Sequence, residues 1–395
     1  MEISVVHPSL NKAGGAERYC LEMIDALVTN GHRVRLYTID KTDWDMLRRT
    51  HNLTASPSVE AYLQSKTLAP DGLFSWLRTA NAYTWLLIRG CEEAELCINN
   101  YGEVMPFFAD ISIVHSVPMS STSNNSYGIP FWDIMRRAYQ YIYGFMDERY
   151  GSEMILTNSR YNAERINKNK KVEVIHPPIQ LPPRRHAEKN GEILTVSRIK
   201  QSKDLLKIAE IAASSPRYKF NVAGKTEYGS ERLIRELRSF KNITVYANPR
   251  RDDLLDLMNR CSVYLSTQRD EAFGMAIVEA MSLDCIPVVY RGGGPWSDIF
   301  EEEEDVGLAY TSTEMAVEKI KEIMTDDMLR RRLRENAGDR VQEFTSERFR
   351  ARFLGYIDQV EPHERQDNRF FRLYRWMESM RKRVRESVGV IQVPS

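Results

Sequence analysis

Short apolar runs alternate with stretches of helical period along most of this chain. Ile3-Ser4-Val5-Val6-His7, His32 to Tyr37, Ala94 to Asn99, Ile111 to His115, Met154 to Ser159 and Val172 to His176 read as buried strands. A second series follows: Glu192 to Ser197, Tyr218 to Gly224, Ile243 to Tyr246, Val263 to Ser266 and Ile286 to Val289. Between strands the period changes; Cys20, Met23, Ile24 and Leu27 recur at i, i+3, i+4 and i+7, one face of a helix. Strands alternating with helices predict parallel sheets covered on both faces. The stretch Pro177 to His186 holds four prolines and no period, so it divides the two series. The pattern therefore predicts an α/β chain of two doubly wound domains, 1–178 and 192–345, joined by a linker at 179–191. Helices at 314–343 and 346–363 and a tail at 364–395 complete it. Residues 40–95 are harder to read, apart from an apolar, aromatic helix at Leu73 to Ile88.

Composition narrows the class. At 395 residues the chain is long for one core. Lysine plus arginine equals aspartate plus glutamate, 55 each, so no overall charge points to nucleic acid. No run reaches the roughly 18–20 apolar residues of a membrane span. The five cysteines (Cys20, Cys91, Cys97, Cys261, Cys285) are odd in number and lie mostly in apolar runs. They read as buried reduced thiols. With a strand directly at the start and no leader pattern, the expectation is a cytoplasmic protein, peripheral on a membrane at most.

Glu271-Ala272-Phe273-Gly274-Met275-Ala276-Ile277-Val278-Glu279 carries the chemistry. Glu271 falls at the carboxyl end of a strand, where open α/β sheets bind ligands, and Glu279 falls within the next helix. The amides around Phe273, Gly274 and Met275 open that helix and suit a phosphate. Two carboxylates flanking a phosphate site can hold two hydroxyl-bearing parts of one ligand, as a sugar nucleotide presents them. Solvated helix glutamates are the plain alternative. Arg198 and Lys203 follow another strand end, where cations neutralise a diphosphate. Gly14 and Gly15 form a strand-to-helix turn. His115 ends a strand. Asp43-Trp44-Asp45 is a D-x-D pair, but it lies in a polar loop far from these residues, so no metal site is expected.

Glu271 to Glu279 with Gly292-Gly293-Gly294-Pro295 resembles the E-x7-E signature of the retaining GT-B glycosyltransferases of family 4 type. Within that family the stretches 271–275 and 292–299 look most like the GDP-mannose:lipid-linked oligosaccharide α-1,2-mannosyltransferases. The resemblance thins outward over roughly residues 3–360. It implies two Rossmann-like domains facing each other across a cleft, with a late helix crossing back to the first. It also implies a metal-independent retaining hexosyltransferase with a nucleotide-sugar donor, GDP-mannose before UDP-glucose or UDP-N-acetylglucosamine, and no further cofactor. Arg198 and Lys203 would hold the diphosphate, with Gly14, Gly15, Phe273, Gly274 and Met275 lining it. Glu271 and His115 would hold the transferred sugar, and Glu279 the ribose. A sugar-nucleotide-binding subunit without activity is the runner-up, and an epimerase lacks a paired acid and base.

The acceptor is expected to be a glycan or lipid-linked saccharide. Residues 364–386 hold eight Arg/Lys against four Asp/Glu, with Phe370, Leu373, Tyr374, Met377, Met380 and Val384 at helical spacing. Such a basic amphipathic helix suits an anionic membrane surface or a protein face. Eight aromatics between Tyr127 and Tyr150 suit either a buried helix or a surface facing acceptor or membrane.

Overall fold

The computed structural model describes residues 1–12, 14–51, 55–64, 72–116, 134, 137–138, 140–141, 144–146, 148, 151–166, 171–183, 188–227, 229–361 and 389–393. The aromatic stretch 127–150 falls largely outside them, and the basic stretch 364–386 entirely so. Two compact units emerge. Unit 1 takes Met1–Asn158, Asn162–Ile175 and Phe349–Ser395; unit 2 takes Ser159–Tyr161 and His176–Arg348.

Unit 1 is built on strands β1 (Glu2–Val6), β2 (Arg33–Asp40), β3 (Val59–Gln64), β4 (Leu96–Asn99), β5 (Ile111–Val114), β6 (Met154–Thr157), β7 (Lys171–Val174) and a late β14 (Gly389–Gln392). Their order is β14-β3-β2-β1-β4-β5-β6-β7, parallel except for β14, which runs antiparallel to β3. Ile3, Val5 and Val6 of the central β1 are fully buried, as a strand covered on both faces requires. Helix α1 (Gly15–Thr29) lays Cys20, Met23, Ile24 and Leu27 into this core.

The strand β3 has no counterpart in the apolar pattern. Its Glu60 is wholly buried, accepting from Thr38 Oγ1 (3.0 Å), Thr42 N (2.9 Å) and Trp44 Nε1 (2.9 Å). A charged residue placed inward hides the strand from any pattern-based reading. Asp43, half of the D-x-D pair, caps α2 (Trp44–His51) by accepting from Met46 N at 2.9 Å. Among the described residues no group of three His, Cys, Asp or Glu is arranged for a metal. Helix α3 (Gly72–Glu92) covers the predicted 73–88 helix and outruns it. No helix among the described residues is long and apolar enough to cross a membrane.

The cysteine expectation needs correction. Cys91 and Cys97 form a disulfide, while Cys20, Cys261 and Cys285 are free and buried. Cys91 ends α3 and Cys97 lies in β4, which packs against that helix. The two lie six residues apart, brought together by the short turn from helix into strand, which apolar flanks do not reveal.

Unit 2 holds β8 (Ile193–Val196), β9 (Phe220–Gly224), β10 (Ile243–Ala247), β11 (Val263–Ser266), β12 (Ile286–Tyr290) and β13 (Leu308–Tyr310). All six are parallel, in the order β10-β9-β8-β11-β12-β13. The helices α4 (Arg160–Ala163), α5 (Leu206–Ala213), α6 (Ser230–Arg238), α7 (Arg251–Arg260), α8 (Met275–Ser282), α9 (Thr313–Thr325) and α10 (Asp327–Arg340) follow in chain order. Ile193, Val222, Leu265 and Val288 meet Ile208, Leu233 and Ile320 on one face of the sheet. Leu194, Tyr264 and Val289 meet Ile277, Val278 and Ala337 on the other. Helix α11 (Ser346–Ile357) belongs to the core of unit 1 through Phe349, Phe353 and Ile357. Arg350 fastens it to α1, with Glu22 at 2.9 Å and Asp25 at 2.7 Å.

Candidate functional site

The strand order of unit 2 reverses between β8 and β11, which pair directly. Connections leave the two strands in opposite directions, so a crevice opens beyond their carboxyl ends. A pocket lies there, lined by Ser197, Arg198, Lys203, Gln268, Glu271, Gly274 and Met275 among others. Lys203 closes a single 3-10 turn, Gln201–Lys203, and Asp204 after it is left-handed (φ 50°). Thr267 Oγ1 donates to Asp204 O at 3.2 Å, tying this loop to the one after β11. Lys203 Nζ then donates to Gln268 Oε1 and, at 3.1 Å, to Glu271 Oε2. Both charged groups are mostly buried, 15% and 27% exposed, so their field is less screened than on a surface.

Helix α8 begins beside this pair. Its cap, Gly274, sits at φ 97°, a backbone that side chains rarely adopt. A Cβ there would also meet Ile277 Cδ1 at 2.7 Å. The first amides of a helix have no partner within it, so those of Met275 and Ala276 supply donors and positive potential. Arg198, 57% exposed, pairs with Glu227 at 3.0 Å. Lys200 reaches the same carboxylate at 3.7 Å, and burial first, then Arg198, pushes its pKa down. The crevice thus carries three cations, two carboxylates and a helix start. That combination can take a diphosphate together with a hydroxyl-bearing group.

Two of the expected residues lie differently. The Phe273 ring is buried, stacked on His176 at 5.4 Å and edge-on to Phe344 at 5.2 Å, so it can offer a ligand only its backbone. Glu279 does not line the pocket; its carboxylate, 8% exposed, is held by both guanidinium nitrogens of Arg251, at 3.1 and 2.9 Å. The turn at Gly292-Gly293-Gly294 presses on backbone. Gly294 N donates to Glu271 O at 2.8 Å, and a Cβ at Gly294 would lie 2.0 Å from Ala272 O. Close approach here shapes the Glu271 loop.

Gly14, Gly15 and His115 belong to unit 1, whose strand order has its own reversal between β1 and β4. His115 follows β5, and its Nε2 meets Asn100 Oδ1 at 2.8 Å. An amide oxygen only accepts, so Nε2 carries the proton and Nδ1 is the acceptor. Burial, reinforced by His7, pushes His115 down to about 3. It is therefore neutral at physiological pH. Glu103 accepts from His115 N at 3.3 Å and is pushed up to about 7 by burial. Both glycines of the turn are exposed, but the amide of Gly14 is taken by Glu17 Oε2 at 2.9 Å.

Gln268, Asn100 and Glu103 are not singled out by the sequence, and Arg251 only as the end of a loop, Ala247 to Arg251, expected to border the nucleotide base. Gln268 and Asn100 each follow an apolar strand within two residues, a position that flags them. Arg251 opens a helix, where the sequence draws notice to the acids Asp252 and Asp253.

Residues 179–340 match the family model described as Glycosyl transferases group 1. Curated relatives include the GDP-Man:Man(3)GlcNAc(2)-PP-Dol alpha-1,2-mannosyltransferases of Homo sapiens and Dictyostelium discoideum, each 22% identical. The human match spans 91% of this chain and 87% of the relative; the Dictyostelium match spans 58% of this chain and half of the relative. Among solved structures, a sucrose-phosphate synthase from Thermosynechococcus elongatus superposes with a TM-score of 0.70 at 15% identity, covering 91% of this chain and 99% of that one. Anabaena HepE in complex with UDP and glucose gives 0.68 at 16%, with the same coverage. The architecture is that of the GT-B glycosyltransferases, an α/β chain with two parallel-sheet units.

Proposed function

We propose that this chain, which carries a Glycosyl transferases group 1 domain at residues 179–340, is a retaining hexosyltransferase that takes mannose from GDP-mannose and delivers it to a lipid-linked saccharide. The observation that carries the reading is the half-buried Lys203–Glu271 pair beside the start of α8. A cation and free amides suit a leaving diphosphate, and an adjacent carboxylate suits sugar hydroxyls. The mannosyltransferase relatives support GDP-mannose and a lipid-linked acceptor. UDP-sugars are the nearest alternative, since the HepE complex holds UDP and glucose.

In this reading Arg198, Lys203 and the amides of Gly274 and Met275 hold the diphosphate, with the amides of Gly15 and Phe273 as further donors. Glu271 accepts from hydroxyls of the transferred sugar, and Glu279 from the ribose. His115 accepts a sugar hydroxyl at Nδ1; being neutral, it orients rather than titrates. The sugar C1–O bond to phosphate breaks as cations and amides take up the negative charge. The acceptor oxygen attacks from the same face, and its proton passes to the departing phosphate oxygen. No side chain need form a covalent intermediate, and no metal is required.

The test is nucleoside diphosphate release from GDP- and UDP-sugars, with and without membrane lipid extract and EDTA. Release from GDP-mannose that needs lipid extract, survives EDTA and disappears in Glu271→Ala is the expected result. Release only from a UDP-sugar replaces the donor. Binding without turnover on any acceptor makes the protein a non-catalytic subunit, and loss with EDTA overturns metal independence.

A further inference from the structure

We infer that Glu227 is a positioning residue that competes with the diphosphate for Arg198 and Lys200 and so eases release of the nucleoside diphosphate product, a role that rests on the donor reading above. Glu227 Oε1 accepts from Arg198 Nη1 at 3.0 Å, and its Oε2 lies 3.7 Å from Lys200 Nζ. One carboxylate thus spans two cations of the crevice, as a phosphate group would. Both cations lie on the segment that leads from β8 to Lys203.

The backbone that carries Glu227 is tied down on both sides. Pairing of β8 with β9 runs on past the strands, with Ser197 N donating to Ala223 O at 3.0 Å and Ile199 N to Lys225 O at 2.8 Å. Ile199 then bridges Thr226. Glycine at 224 permits this approach, since a Cβ there would run into Ser197 O. From the loop after β10, Asn248 N donates to Gly224 O at 2.8 Å, and Asn248 Oδ1 accepts from Thr226 N at 2.9 Å. Ser230 N, at the start of α6, donates to Glu227 O at 3.1 Å. The main chain thereby keeps the carboxylate beside the cations.

The side chains themselves are open to exchange. Glu227 is 39% exposed and Arg198 57%, and ion pairs in contact with water are weak. A diphosphate carries more charge than one carboxylate, so it can take both cations from Glu227. As the product leaves, Glu227 takes them back. Burial and then Arg198 push the Lys200 pKa down while Glu227 pushes it up, so the carboxylate offsets a repulsion built into this segment. Without it, Arg198, Lys200 and Lys203 would all draw on the departing anion. Release of product is a step at which tight binding slows turnover.

Calorimetric Kd values for GDP and UDP, with thermal melts, test the inference on the wild-type, Glu227→Gln, Glu210→Gln, Arg198→Gln and Arg198→Gln,Glu227→Gln proteins. Glu227→Gln is expected to bind the nucleotide about three- to tenfold more tightly at an unchanged melting point, the worth of one or two exposed pairs. Glu210→Gln removes the same charge from α5, where it pairs with Lys207 at 2.6 Å, and should leave Kd within about twofold of wild type. In the Arg198→Gln background the gain from Glu227→Gln should shrink to about twofold or less, because the carboxylate acts largely through that guanidinium. A gain that persists there in full, or an equal gain in Glu210→Gln, is a diffuse charge effect and overturns the inference. Were Glu227 merely structural, Glu227→Gln would bind as the wild type does or more weakly, which overturns the inference and leaves the donor reading standing. If neither the wild type nor Glu227→Gln binds a nucleoside diphosphate, both fall.

Discussion

Gly294→Ala is expected to disable catalysis by moving Glu271 without touching it chemically. The backbone at Gly294 (φ −60°, ψ −33°) is one that alanine adopts readily, so the substitution adds only a methyl group. That methyl would lie 2.0 Å from Ala272 O, 2.6 Å from Ala272 C and 2.8 Å from Phe273 Cα. All three are main-chain atoms, so no side chain can swing away. Restoring an ordinary contact of about 3.4 Å requires the 271–273 backbone to retreat by about 1.4 Å, more than a packed interior gives freely. Glu271 moves with it, because Gly294 N holds Glu271 O at 2.8 Å. The Lys203–Glu271 contact of 3.1 Å then opens past hydrogen-bonding range. A misplacement of about 1 Å can cost about a hundredfold in rate, or roughly 2.7 kcal/mol of transition-state stabilisation. The assay is nucleoside diphosphate release alongside a thermal melt, with Gly292→Ala as control. There the new methyl meets the Tyr290 ring at 3.3 Å and Arg269 O at an ordinary 3.7 Å, and activity should be largely kept. A Gly294→Ala,Glu271→Ala double variant should be no slower than Glu271→Ala alone, since both act through one carboxylate. A Gly294→Ala enzyme with native melting point and turnover within about threefold of wild type would refute the reasoning, as would fully additive losses.

Three further outcomes follow. Lys203→Met should raise the Kd for nucleoside diphosphate about ten- to a hundredfold, the worth of one charge-assisted contact, and a change within twofold by calorimetry would rule out a phosphate role. His7 and His115, both pushed down to about 3, bind protons in the unfolded chain below pH 6.5 but not in the folded one. Each therefore removes about 1.4 kcal/mol of stability per pH unit on acidification, while Glu103, raised to about 7, offsets one of them down to its unfolded value of 4.5. Urea midpoints should fall from pH 6.5 to 4.5, and with both histidines replaced by glutamine they should instead rise over that range through Glu103 alone; an unchanged slope would contradict the burial argument. Asp298, wholly buried, accepts from Arg160 N (2.7 Å), Ser297 Oγ (2.7 Å) and His176 Nε2 (2.9 Å), which together hold its pKa down against burial. Asp298→Asn should cost about 2–4 kcal/mol by urea unfolding, because a carboxylate oxygen becomes a donor facing donors; a loss under 0.5 kcal/mol would show the cluster to be slack.

What the sequence determined is what local chemistry determines. Apolar runs such as Ile3 to Val6 and Val263 to Ser266 must be buried strands, and the helical stretches between them impose parallel sheets. Glu271, Arg198 and Lys203 were legible because each follows the end of such a strand. The fold gathers these three at one strand reversal although 68 residues separate Lys203 from Glu271. Only tertiary structure decided the rest, since it depends on atoms far apart in the chain. Glu60 hid β3 because its partners, Thr38, Thr42 and Trp44, come from neighbouring segments. Gly294 reads as one more flexible turn until the Ala272 carbonyl is seen beneath it. Glu279 reads as one helix glutamate among many until Arg251, 28 positions earlier, closes on both its oxygens. A sequence specifies which groups must leave water, but the partner each group finds there is chosen by packing.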